Sequence, residues 1–194
     1  MINTKLLDDY KEETYINACR LFIEACILFA NNRYSTSFVL ATFSYEEVGK
    51  LCIIDRVCDA ICLNPESADR IYEDFFSSSN INNHIIKHQQ ALFDASNILP
   101  DKENKRIWDY VSSGGLDQRR QSALYVDVVN FKIKSPKEIN SDKAYELINM
   151  TYDAFNKIED IGFNGYQCIP TEKSTWKFNK KMEEMNNYFL PIKR

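Results

Sequence analysis

The sequence predicts an all-α fold: an antiparallel helical bundle with additional short helices and a docked C-terminal tail. Three observations carry that expectation. The chain of 194 residues holds only 5 Gly and 5 Pro, too few punctuating residues for a turn-rich fold. Apolar residues recur at helical spacing over long stretches. The first two such stretches are joined only by Asn31-Asn32-Arg33, a connection so short that they must run antiparallel.

A chain of this length forms one domain with a core of its own. We place the bundle at residues 1–164 and a C-terminal extension, packed on the same domain, at residues 165–194. Hydrophobic residues make up 44% and charged residues 27%, the balance of an ordinary globular protein. No apolar run is long enough to span a bilayer, and Met1-Ile2-Asn3-Thr4-Lys5 lacks the apolar core of a signal peptide. A cytoplasmic location without membrane contact is the expectation. The net charge of −4 and pI near 5.3 exclude a global attraction to nucleic acid, so any RNA contact needs a local basic patch.

The first helix runs from about Asp8 to Asn31, with Ile16, Leu21, Ile23, Ile27 and Leu28 among its apolar residues. Ser35 is the expected N-cap of the second, which ends before Asn64-Pro65. Pro65 opens a short helix to Phe76, broken by Ser77-Ser78-Ser79-Asn80. A helix from Asn80 to Leu99 follows, with a stripe of Ile81, Ile85, Leu92, Ala95 and Leu99. Pro100-Asp101 starts a polar helix around Trp108, and Gly114-Gly115 breaks the chain again. Leu116 to Tyr125 is helical, with Leu116, Arg120, Ala123 and Leu124 on one side. Val126 to Ile133 is an extended loop or a short strand. Ser141 caps a helix to Ile161, ended at Gly162, and an amphipathic segment from Trp176 to Tyr188 forms the tail. The six cysteines have no Cys-x-x-Cys spacing, and we expect buried free thiols.

The second helix carries the first chemical signal. Its stripe is Leu40, Phe43, Leu51, Ile54, Cys58 and Ile61, and the two missing rungs are Glu47 and Lys50. Charges on a core-facing stripe are costly unless paired. One reading is a structural Glu–Lys pair that locks helix register. The other is a polar site inside the bundle. The two histidines, His84 and His88, lie one turn apart on or beside the next long stripe. Their spacing suits a metal with Glu46 or Glu47 as oxygen donors, but Lys50 stands where a carboxylate-bridged centre wants histidine, so no metal is expected. Arg120 shares its face with Leu116 and Ala123, which turns its guanidinium inward. An arginine, a histidine and a lysine around a carboxylate suit a phosphodiester, with cations against the phosphate and an imidazole for the 2′-OH proton. The same residues also make a salt-bridge network tying three helices. The basic C-terminus, Lys177, Lys180, Lys181, Lys193 and Arg194, reads as a solvated face.

Several segments together resemble one family. Asn17-Ala18-Cys19-Arg20-Leu21, then Arg33-Tyr34 leading through Ala41 to Glu46-Glu47-Val48-Gly49-Lys50, resemble the opening of AbiV-type abortive infection proteins of the HEPN superfamily. His84-Ile85-Ile86-Lys87 and Arg120-Gln121-Ser122-Ala123-Leu124-Tyr125-Val126-Asp127 resemble two later elements of that family. The resemblance covers about Asn17 to Phe155. It implies an HEPN-like bundle and a bacterial, cytoplasmic anti-phage protein that arrests growth or translation in infected cells. Many HEPN proteins are metal-independent ribonucleases whose composite site, around an Arg-x(4–6)-His motif, forms at a homodimer interface. This chain lacks that spacing, the nearest arginine before His84 being Arg70.

What the resemblance implies for the site is therefore a set assembled across helices. His84 acts as general base or acid. Arg120 and Lys87 hold phosphate, Glu47 orients and pairs with Lys50, and Tyr125 bonds substrate or network. Arg119, Gln121 and Glu46 complete the substrate-binding set. The expected partners are RNA, a phage-encoded activator or target protein and a second copy of the chain, with no cofactor. The alternative is a non-catalytic effector that binds a phage protein or the translation machinery.

Overall fold

Helices α1 (Thr4–Ala30) and α2 (Tyr34–Leu63) form the antiparallel pair at the centre of the protein. The computed structural model describes residues 4–78, 80–93, 102–125, 127–129, 132–134, 138–160 and 172–192. Asn32, in the turn between them, sits at φ 59°, a left-handed conformation that asparagine tolerates better than most side chains. Ser35 is not the N-cap of α2. Arg33 holds that position, and the Ser35 hydroxyl accepts the backbone N–H of Ile139 at 3.0 Å. Ser35 thereby ties the start of α2 to the approach of α7 (Ser141–Asp160). Ser141 does not cap α7 either: Asn140 Oδ1 accepts the Lys143 N–H at 3.1 Å.

After α2 come a 3₁₀ turn (Pro65–Ser67) and α3 (Ala68–Ser77), then a second 3₁₀ turn (Asn80–Asn82) and α4 (His84–Phe93). Helices α5 (Lys102–Ser112) and α6 (Gly115–Leu124) meet at Gly114, whose φ of 76° is left-handed. Part of the stretch left between loop and strand is a small antiparallel hairpin. Its strands, β1 (Asp127–Val129) and β2 (Lys132–Lys134), pair Asp127 with Lys134 and Val129 with Lys132. Helix α8 (Glu172–Phe189) follows α7. The expected extension of the α4 helix to Leu99 and the stop at Gly162 lie outside the described residues.

Helix α2 is buried on more than one side because it packs against α1, α4, α6 and α7. Small and hydroxylic residues make that possible. Ser37 and Ser44 donate to the Ala25 and Ala18 carbonyls of α1, each at 2.8 Å, and Thr151 of α7 donates to the Ala41 carbonyl at 3.3 Å. The main core joins Phe22 and Phe29 of α1, Phe38 and Leu51 of α2, Ile148 and Phe155 of α7, and Met185 and Phe189 of α8. Tyr152 stacks on Phe189 with ring centroids 4.1 Å apart, so the last described helix belongs to the same core. A smaller cluster of Leu7, Ile54, Cys58, Ile61, Ala68 and Phe75 secures α3. Cys19, Cys26, Cys52 and Cys58 are buried free thiols, whereas Cys62 is exposed against expectation. Burial pushes the Cys19 and Cys26 thiols up to about 12, which keeps them protonated and inert. No described helix is long and apolar enough to cross a membrane.

Candidate functional site

The expected position of the buried charge is off by one residue. Glu47 and Lys50 pair with each other at 2.7 and 2.8 Å, with side chains 15% and 17% exposed. They lie near Tyr10 of α1, whose phenol is raised by burial, lowered by Lys50 and raised by Glu47. The charge that enters the interior is Glu46, whose side chain is only 5% exposed. A helix packed on several sides has no single inward stripe, so the stripe selected the wrong glutamate. The Glu47–Lys50 pair remains a true pair, largely but not fully sheltered. Lys50→Met is therefore expected to cost roughly 1–3 kcal/mol, between exposed and fully buried pairs. Adding Glu47→Gln should recover much of that loss in a urea double-mutant cycle. Strict additivity would show that the two charges do not interact.

Four residues converge on Glu46. His84 Nδ1 lies 2.7 Å from Oε2, and Lys87 Nζ lies 3.4 Å from the same oxygen. His88 Nε2 lies 3.1 Å from Oε1, and Arg120 Nε stands 3.9 Å from it. The local sequence explains the convergence. Positions 84, 87 and 88 are spaced i, i+3, i+4 and share one face of α4. Asn83 starts that helix by accepting the N–H groups of Ile85 and Ile86 at 3.0 and 3.2 Å. Gly49 lets the face approach: a Cβ built there would stand 1.8 Å from the Lys87 carbonyl oxygen. On α6, Arg120 donates to Asp117 one turn earlier, with Nε at 3.1 Å, and its guanidinium carbon lies 5.0 Å from the centre of the Phe43 ring.

The site is electrically balanced, with Glu46 and Asp117 facing Lys87 and Arg120. Burial alone would raise the Glu46 carboxyl. Hydrogen bonds from His88 and His84, with the charges of His88 and Lys87, outweigh it and draw the group down to about 2. The unfolded chain keeps the ordinary value of 4.5, so Glu46 contributes stability above about pH 4.5. That contribution fades as the pH falls from about 4.5 to 2, and it is on the order of 3 kcal/mol. Glu46→Gln should flatten this part of the acid-unfolding curve. An unchanged slope between pH 4.5 and 2 in the variant would assign the acid sensitivity to another group.

The two imidazoles stand in different surroundings. His88 is fully buried, tilted against the Tyr45 ring, and its Nδ1 has no hydrogen-bond partner among the described residues. His84 is 44% exposed. Its Nδ1 faces the carboxylate, which leaves Nε2 as the nitrogen available outside. Glu46, His84 and Asp117 also bring one ligand atom each within 4.8 Å of one another, a spacing that a metal could use. Lys87 and Arg120 fit that spacing poorly as neighbours. Their cations already compensate the two carboxylates that an ion would need.

The expected set is thus divided. Glu46, His84, Lys87 and Arg120 come together; Glu47 and Lys50 form a separate pair. Tyr125 is 62% exposed just beyond α6, joined to it through its N–H to the Gln121 carbonyl. Gln121 donates to Asp117 Oδ2 at 2.8 Å, and Arg119 lines a cavity beside α6. The expected set leaves out His88, weighed above only as a core residue or metal ligand, together with Asp117, Asn83 and Gly49. Two had a visible signal, since His88 is one turn from His84 and Asp117 one turn from Arg120.

No curated protein and no solved structure matches the chain. The family model HEPN_AbiV, described as AbiV, matches residues 7–155, from the first turn of α1 to late α7, and so includes the whole Glu46 cluster. The chain belongs to the AbiV family of HEPN proteins.

Proposed function

We propose that the protein is an abortive infection effector of anti-phage defence and that it acts as a metal-independent endoribonuclease. Family membership supports the defence role. One observation carries the chemistry: a half-exposed imidazole, His84, backed through Nδ1 by a buried and ionised carboxylate. A carboxylate on one ring nitrogen fixes the tautomer and makes the other nitrogen a better base. Glu46 takes the orienting role that the sequence assigned to Glu47.

In the proposed step His84 Nε2 removes the proton of a ribose 2′-OH. The 2′-oxygen attacks the adjacent phosphorus as the bond from phosphorus to the 5′-oxygen breaks. The leaving 5′-oxygen takes a proton, giving a 2′,3′-cyclic phosphate and a 5′-hydroxyl. One imidazole supplies one proton-transfer group, and a two-fold dimer would supply the second from His84 of another copy. Lys87 and Arg120, both buried, serve first to hold Glu46 and Asp117.

The test is incubation of the purified protein with total RNA in the presence and absence of chelator. Cleavage that resists chelator and leaves 2′,3′-cyclic ends is the expected result. A second reading rests on the same network: Glu46, Lys87 and Arg120 are buried and satisfy one another, as in a purely structural tie among α2, α4 and α6. Under that reading the protein blocks phage growth by binding a phage protein or the translation machinery, and RNA survives the incubation intact.

A further inference from the structure

A cavity of about 270 Å³ lies beside α6, enclosed by residues of α2, α5, α6 and α7. That is just under the ~300 Å³ at which pockets for small molecules begin. Its floor is apolar, built by Phe38, Ile107, Val111, Leu116, Leu147 and Met150. Its charged groups are Arg106, Arg119, Lys143 and Glu146. Lys143 and Glu146 neutralise each other across 2.6 Å. The guanidinium groups of Arg106 and Arg119 have no ion-pair partner among the described residues. Two cations with no ion-pair partner among the described residues thus line one apolar hollow on a protein of net charge −4.

That combination selects an anion carrying a compact apolar body. A nucleobase suits it poorly. The edges of a base need donors and acceptors, and apart from the Tyr110 hydroxyl the uncharged side chains of the lining provide none. Polar edges buried without partners weaken binding strongly. A carboxylate on a single ring or a short branched chain meets no such penalty, because its body needs only apolar contact and its head is met by paired charge.

We propose that this cavity is a binding site for a small organic acid, its carboxylate held by Arg106 and Arg119 and its apolar body on Phe38, Leu116 and Leu147. The site does not depend on the chemistry of the Glu46 cluster. It does share α6 with it, since Arg119 lines the cavity and the next residue, Arg120, reaches Glu46.

Calorimetric titration of the full chain with 3-phenylpropionate tests the proposal, with 3-phenylpropan-1-ol as the uncharged analogue and UMP as the nucleotide. The acid should bind at least tenfold tighter than the alcohol. Its addition should shift the methyl resonances of Ile107, Val111, Leu147 and Met150 in the wild-type protein, a measurement that needs no variant. The double variant Arg106→Gln, Arg119→Gln should lose the tenfold preference while keeping its melting temperature. Equal affinity for acid and alcohol, absence of binding at millimolar acid, or shifts confined to another face would overturn it. Tighter binding of UMP than of the acid would also overturn it and would make the cavity a nucleotide subsite. Acid binding without RNA cleavage would sink only the ribonuclease reading.

Discussion

Gly49→Ala is expected to destabilise the protein by about 3 kcal/mol or more, the upper range for overpacking. Elsewhere in a helix the same change usually stabilises by ~0.5–1 kcal/mol, because glycine is the poorer helix former. Here the added methyl would fall 1.8 Å from the Lys87 carbonyl oxygen and 2.6 Å from its carbon. Those are backbone atoms in the middle of α4, so no side chain can swing aside. The helix itself must move, and it carries His84, Lys87 and His88. The clash outweighs the propensity gain, and the substitution should also loosen the hydrogen bonds to Glu46. Urea denaturation reads the first effect, and RNA cleavage at permissive temperature reads the second. A midpoint equal to or above that of the wild type would mean that α2 and α4 do not make this close approach.

Gly49 shows why part of the site was hidden in the sequence. A glycine inside a helix announces only that something comes near, not what or from where. The convergence of Glu46 with His84 required knowing which side of α2 faces α4. A helix packed against five others gives no amphipathic answer to that question. The regular elements were easier. Long helical periodicity, the Asn31–Arg33 turn, Pro65 and the Gly114-Gly115 break are local signals, and the structure keeps all of them. Caps were less legible, because Ser35 and Ser141 have the right side chains but their neighbours decide the role. Ser35 bonds across the bundle to Ile139, and Asn140 takes the cap that Ser141 was expected to fill. Arg120 was readable because its helix face also carries Leu116 and Ala123, both buried.

The two histidines should separate chemistry from scaffolding. His84 is half exposed and gives Glu46 one of its several partners. Asparagine at that position remains polar and can still donate to the carboxylate, so His84→Asn should cost about 1 kcal/mol of stability or less. For a protein of this size that is about 2–4 °C in melting temperature. A group that moves the proton contributes about 10²–10⁴-fold in rate, and His84→Asn should lose that factor in RNA cleavage and abolish growth arrest in infected cells. His88 lies at the opposite extreme, with no exposure and a direct contact to Glu46. His88→Asn leaves a void beside a buried carboxylate that has lost a partner. It should cost about 1–3 kcal/mol, with activity per folded molecule less affected. Melting curves together with cleavage rates on the same preparations distinguish the two effects. Protection against phage at full strength by His84→Asn would end the ribonuclease reading, leaving Glu46, Lys87 and Arg120 as the structural tie of a protein that acts by binding.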